Sequence, residues 1–409
     1  MHGERGRRRG ARLTMAVAGA ALALTSGCFG WRQSGYDAGH SSNNPHERTL
    51  TAATVGGLAP VWSQAGPVLD VVSSGNRVHA VRYGDAGGVA STYRADNGAE
   101  LWTRRLERYL RDSYVAVLGD TLAVTTGAQQ EAFGHNVPPP YLLSAAFDVV
   151  TGEDRTHPFH VYEYPTTGDP SGEAAYGTHV ALVPLGGATT VMYDDARPDA
   201  RLGGNAPLLD ERAGTAYAEG IVDGNPAIQA WDLACTGWEC TPRWSHPGTT
   251  ADAALEASSG TLYVAGEQLE ALDATTGAVR WTAPVGSTMR PAVRNQTVFV
   301  VDEGRLTAVP ACGSASCAPA WSAALPEHVP NRGDDIAVGG DVVYVATTGI
   351  ENATATTTVA AYDADGCAAA TCQPLATVTA PGGAGDLLVA NGRLVVGTDT
   401  GMYAFGVPA

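Results

Sequence analysis

Short runs in which apolar residues alternate with polar or small ones recur along this chain, and the runs come in groups. The clearest group opens at Gly260-Thr-Leu-Tyr-Val-Ala-Gly and continues through Leu269-Glu-Ala-Leu-Asp-Ala-Thr-Thr-Gly-Ala-Val-Arg-Trp281. A period of two turns alternate side chains to opposite faces, which is the mark of β-strands and not of helices. Two strands are predicted around Leu262 to Ala265 and Leu269 to Leu272, followed by a tight turn over Asp273 to Gly277 and a third strand ending in Trp281. Gly277 supplies the positive φ that such a turn needs.

Related units appear when this template is moved along the sequence. Asn97-Gly98 followed by Trp102 repeats the interval from turn to Trp, and Ala146-Phe-Asp148-Val-Val-Thr151-Gly152 repeats the turn without the Trp. In three further units a cysteine pair replaces Thr-Gly: Asp232 leads to Cys235 and Cys240 and then Trp244, Pro310 to Cys312 and Cys317 and then Trp321, Asp363 to Cys367 and Cys372 and then Leu375. Closing strands are thus expected near Trp62, Trp102, Thr156, Arg201, Trp244, Trp281, Trp321 and Leu375. Their mean step of about 45 residues is that of a four-stranded propeller blade. The last unit, Asp386 to Phe405, has three strands, and Leu58-Ala-Pro-Val-Trp62 is a fourth strand without a blade of its own. Pairing the two closes the ring and removes its edges. The expectation is an all-β, eight-bladed β-propeller over residues 50–409, its last blade closed by an N-terminal strand. Discounting the weak unit Thr178 to Leu202, which lacks Trp at both expected places, gives seven blades.

The cysteines read the same way. Setting Cys28 aside, six remain as Cys235/Cys240, Cys312/Cys317 and Cys367/Cys372, each bracketing a loop whose ends a hairpin already brings together. Three local disulfides are expected, since closure there costs little chain entropy, and no second cysteine pair stands within local reach for a zinc site. No metal site is expected.

Charge then narrows the partners. The 409 residues carry 42 acidic and 25 basic side chains, every basic one an Arg, for a net charge of −17. Nucleic acid is excluded as a partner by this field, and chemistry that needs a Lys is excluded by composition. Residues 1 to 27 read as an export signal, with Arg5, Arg7, Arg8, Arg9 and Arg12 ahead of an apolar stretch from Leu13 to Leu24 too short to span a bilayer. The stretch ends in Leu24-Thr25-Ser26-Gly27-Cys28, which resembles a bacterial lipobox and implies a lipid on Cys28; Thr25 departs from the usual Leu. Cleavage there removes five Arg and one Glu, taking the charge from −17 to −21. Residues 28–49 are then a tether, and the diacylglyceryl group is the only membrane anchor. The protein is expected to be a monomer on the outer face of a bacterial cell membrane.

The motif Ala271-x-Asp273-x-x-Thr276-Gly277-x-x-x-Trp281, with the opening Trp31-Arg-Gln-Ser-Gly-Tyr-Asp37 and Val55-x-x-Leu58-x-x-x-Trp62, resembles the quinoprotein-type (PQQ-like) β-propeller superfamily over about residues 31 to 409. The resemblance implies that Trp62, Trp102, Trp244, Trp281 and Trp321 pack between blades. It spans both dehydrogenases and non-catalytic scaffold lipoproteins. A dehydrogenase of this kind implies pyrroloquinoline quinone and calcium in the central channel, beside a vicinal Cys-Cys disulfide. This chain has no adjacent cysteines and no Lys, and no calcium ligand set can be matched residue by residue. No Gly-x-Ser-x-Gly elbow is present either.

Insertions at 127–141 and 156–176 enlarge the second unit and its exit, and carry Phe133, His135, Tyr141, Phe159, His160, Tyr162 and Tyr164. Exposed aromatics on loops suit an interface, so these are candidate partner-binding residues for an extracytoplasmic protein or peptide. The expected function is a non-catalytic binding or envelope-assembly scaffold with no cofactor. The alternatives are a PQQ- and calcium-dependent dehydrogenase, or a propeller that takes a small ligand or sugar in its acidic channel.

Overall fold

The computed structural model describes residues 30–33, 35–37, 39–84, 87–106, 113–127, 142–155, 175–176, 180–185, 188–193, 198–203, 205–235, 240–247, 253–287, 289–326 and 335–408. The expected all-β fold is found. Strands and one 3₁₀ turn at Val55–Gly57 are the regular elements among the described residues, and the strands gather into eight sheets.

Within each sheet the strands that follow one another in the chain pair antiparallel. In the fifth, Ala253–Glu256, Thr261–Val264, Leu269–Asp273 and Val279–Ala283 pair in chain order, with Thr261 opposite Asp273 and Ala271 opposite Trp281. The second sheet shows three strands, and its expected closing strand near Thr156 lies outside the described residues. The eighth is completed from the start of the chain, as the sequence predicted. Ala59–Ala65 pairs antiparallel with Gly401–Gly406, Pro60 facing Phe405 and Trp62 facing Ala404.

First strands of neighbouring sheets pack flank to flank around the first, seventh and eighth sheets. Val68–Ser74 lies between Ser113–Leu118 and Ala384–Ala390, and Asp335–Gly339 lies between Ala384–Ala390 and Ala292–Arg294. Carboxylates rivet two of these junctions. Asp70 accepts from Val71 N and, across the gap, from Val115 N at 2.6 Å. Asp335 does the same with Ile336 N and Leu387 N, the latter at 2.9 Å.

Strand alternation decides where the core goes. Val71 packs toward the eighth sheet with Leu388 and Val395, while the next residue, Val72, packs toward the second with Val115 and Phe147. Ala337 and Val338 divide in the same way between the seventh-eighth and sixth-seventh gaps. The apolar clusters therefore form between neighbouring sheets, which a period of two along every inner strand requires.

The outer edge repeats one device. Gly98, Gly152, Gly277 and Gly366 turn with φ between +66° and +91°, and a Cβ on each would collide with Trp62, Trp102, Trp244 and Trp321 of the preceding sheet. Trp62, Trp102 and Trp244 also donate from Nε1 to carbonyls of that turn, at Ala95, Val149 and Ala274. The Asp of the repeat fastens its own turn: Asp273 accepts from Thr275 N, Thr276 N and Thr276 Oγ1 and pairs with Arg280, which also donates to Thr261 Oγ1. Asp148 with Arg155, and Asp232 with Arg243, repeat the clasp. Arg280 is the main reason that the Asp273 carboxyl lies below its ordinary range.

All three expected disulfides form. Two of the loops they close reach across to the preceding sheet. Thr282 N donates to Ala315 O and Cys317 N to Thr282 O, at 2.9 and 2.8 Å. Ser322 N donates to Ala370 O and Cys372 N to Ser322 O at the same two lengths.

Candidate functional site

Residues 30–49 do not hang from the ring as the expected tether. They run across one of its ends. Trp31 exchanges hydrogen bonds with Ser73, through the serine hydroxyl at 2.9 Å and its N–H at 2.6 Å. Val117 N then donates to Arg32 O, Leu255 N to Gly39 O, Val293 N to Ser41 O, and Val338 N to Ser42 O. Asn43–Asn44 adds a short parallel pairing to Val338–Gly339, and Asn44 Nδ2 reaches Val389 O at 2.9 Å. These partners belong to the first strands of the first, second, fifth, sixth, seventh and eighth sheets.

The path needs sharp bends, supplied at positive φ by Gly35 and also by Tyr36, His40 and Ser42. Non-glycine residues hold that conformation only where their surroundings impose it, and here the partly buried carboxylate of Asp37 does. Asp37 accepts from Gly39 N and Ser41 N through Oδ1 and from Ser41 Oγ through Oδ2 at 2.7 Å. Burial pushes its carboxyl above the ordinary range, against the pull of these hydrogen bonds. Glu47, 3% exposed, ends the crossing. Its Oε1 accepts from the backbone of Arg48, Thr49 and Leu50, and its Oε2 from Gly392 N at 2.9 Å.

Beside the end of this arm an open cavity of about 380 Å³ is lined by Asn43, Glu47, Arg48, Arg294 and Asp341 among others. Its charged groups are already engaged. Asp341 accepts from Ala52 N, and Arg294 donates to Gly340 O and to Asp365 at 2.6 Å.

Salt-bridged turns gather at one end of the ring, and exposed hairpin tips at the other. At the arm end, carboxylates of the turns pair with arginines, as in Arg94–Asp96, Arg155–Asp148, Arg243–Asp232, Arg280–Asp273 and Arg294–Asp365. The opposite end carries the hairpins between second and third strands. Their tips expose Asp223, Glu267, Glu303, Glu351 and Asp399 in the fourth to eighth sheets, and no ion pair to these five is found among the described residues. Ile221 and Ile350, 76% and 44% exposed, flank two of the tips.

A quinone seat of the implied kind does not fit these residues. The described cysteines close loops at the sheet edges, not a vicinal pair by the channel. Among the described residues no three His, Cys, Asp or Glu side chains group as metal ligands. The sequence singled out Cys28 and the aromatics Phe133, His135, Tyr141, Phe159, His160, Tyr162 and Tyr164, and all lie outside the described residues. Sequence reasoning missed the arm. The one signal for it was the cluster Trp31-Arg-Gln-Ser-Gly-Tyr-Asp37, whose Trp and Asp do the anchoring.

Comparison with known proteins came to the same fold. Residues 229–366 match the family model described as outer membrane protein assembly factor BamB. No curated protein matches the chain. Among solved structures, BamB from Moraxella catarrhalis is similar at a TM-score of 0.56 and 16% identity, over 85% of this chain and 99% of that one. The quinohemoprotein alcohol dehydrogenase ADHIIG from Pseudomonas putida HK5 is similar at 0.62 and 11%, over 92% and 80%. The computationally designed Ika8 protein is similar at 0.61 and 12%, over 85% and 98%.

Proposed function

From the premise that this chain has the PQQ-like β-propeller fold, we propose that it is a non-catalytic scaffold outside the cytoplasm, held to the membrane by a lipid on Cys28, which docks an envelope protein or peptide on its loops. The observation that carries this reading is the arm. A ring whose own backbone is laced across six inner strands is filled at that end and braced against deformation, so recognition passes to the loops at the rim. The assembly factor whose model matches residues 229–366 supports the scaffold reading. Likeness to the dehydrogenase supports the fold alone. Three disulfides suit an oxidising compartment.

Two measurements test the proposal together. The purified full chain titrated with pyrroloquinoline quinone and calcium is expected to show neither saturable absorbance change nor dye reduction. Crosslinking at the cell surface, read by mass spectrometry, is expected to recover one envelope protein from wild type and to lose it in the double variant Phe159→Ala/Tyr162→Ala. Quinone-dependent turnover would overturn the non-catalytic reading. Unchanged capture by the double variant would overturn docking through the second-unit insertions.

A further inference from the structure

We propose that the arm end of the ring is the face that rests against an anionic phospholipid surface, and that the acidic hairpin-tip face points away from it. The inference rests on the reading that Cys28 is lipidated. A single residue, Phe29, separates Cys28 from Gly30. Gly30 is fixed, because a Cβ on it would stand 2.3 Å from Ser73 O, and Trp31 is fastened to the same serine. Two Cα steps of about 3.8 Å each hold the Cα of the anchor residue within ~8 Å of the Cα of Gly30, which itself lies against the end of Val68–Ser74. That strand is the innermost of its sheet, so the lipid leaves near the ring axis and the ring cannot turn over on so short a connection.

Charge favours the same side. A chain of net charge −21 is repelled by an anionic leaflet, and the repulsion acts within a Debye length of about 8 Å. At the arm end Arg94, Arg243, Arg280 and Arg294 neutralise the carboxylates beside them, and Arg48 and Arg212 are exposed there as well. Asp223, Glu267, Glu303, Glu351 and Asp399 stand at the far end with no ion pair among the described residues, where Arg305 beside Glu303 is the exposed cation of the same tips. Arm-down keeps them beyond the reach of the surface field, whereas tip-down would press all five against it.

The test uses the full chain, processed in a bacterial host and reconstituted in vesicles of phosphatidylcholine and phosphatidylglycerol at 7:3 with a headgroup-linked quencher. Mass spectrometry of the N-terminal peptide first reads the modification of Cys28. Fluorophores are then placed singly through Thr275→Cys or Ala369→Cys on the arm side and Asp223→Cys or Asn352→Cys at the tips, all exposed positions. Quenching is expected to be several-fold stronger for both arm-side labels than for both tip labels. Equal quenching, or stronger quenching at the tips, in protein whose Cys28 is lipidated overturns the orientation and leaves the anchor standing. An unmodified Cys28 overturns both.

Discussion

His79 is buried between two hydroxyls, Ser74 Oγ at 2.8 Å from Nε2 and Thr92 Oγ1 at 2.7 Å from Nδ1. Burial, helped by the nearby Arg77, lowers its pKa to about 3. An unfolded chain protonates this ring near pH 6.5 and the folded chain does not, so between these values the unfolded state binds the extra proton. The contribution to stability is whole above pH 6.5 and is lost as pH falls toward 3, at roughly 1 kcal/mol per pH unit. His79→Gln is expected to flatten the fall in urea midpoint between pH 6 and 4 relative to wild type; an identical slope in the two proteins refutes the assignment. The glycine turns give a second test at this scale. Gly277 has φ +72° and a Cβ there would lie 2.6 Å from Trp244, whereas Gly260, at φ +60°, has nothing within 4 Å. Gly260→Ala carries only the left-handed cost of about 1 kcal/mol. Gly277→Ala adds the collision, for a total near ~3 kcal/mol by denaturant unfolding. Equal costs would mean that Trp244 yields freely.

The disulfide loops matter as connectors between sheets. Each replaces the hydrogen-bonded Asp-x-x-Thr-Gly turn, and the loops at Cys312–Cys317 and Cys367–Cys372 also bridge to Thr282 and Ser322 of the sheet before them. Removing the bond in Cys367→Ser/Cys372→Ser is expected to cost about 2 kcal/mol through the closed loop of the unfolded chain. Because the loop also loses its shape, exchange of the Ser322 amide should accelerate while the amides of Thr276 and Gly277 keep their protection. Protection of Ser322 equal to wild type would show that the loop docks without its covalent bond. The pairing was legible in the sequence because both cysteines of each pair stand on one turn. The docking was not, because it uses backbone groups of Ala315 and Ala370, whose side chains carry no signal.

One sheet of the ring is made of the two ends of the chain, joined by a non-covalent seam between Ala59–Ala65 and Gly401–Gly406. Strands, turns and this seam could be read from the sequence, since alternation, Thr-Gly and Trp are local marks and Trp62 lacked a blade. The arm could not: its Gly- and Ser-rich composition is that of a tether, and only the assembled sheets offer the inner-strand N–H groups at Val117, Leu255, Val293 and Val338 that it satisfies. The candidate site was legible only as loop content, because which turns share an end of the ring depends on the assembled sheets. The seam makes a prediction that no internal sheet shares. Trp62 and Trp244 make the same two contacts, ring on glycine and Nε1 on a carbonyl, so either Trp→Ala change should cost a similar ~3 kcal/mol. Their consequences differ in kind. Loosening Trp244 disturbs a sheet that is continuous in the chain, whereas loosening Trp62 frees Ala59–Ala65 and bares the backbone of Gly401–Gly406 as an edge. A bare edge recruits other chains. In urea just below the unfolding transition, Trp62→Ala is expected to elute from a sizing column as oligomers and Trp244→Ala as monomer. Monomeric behaviour of both variants would mean that the ring stays closed without the tryptophan at its seam.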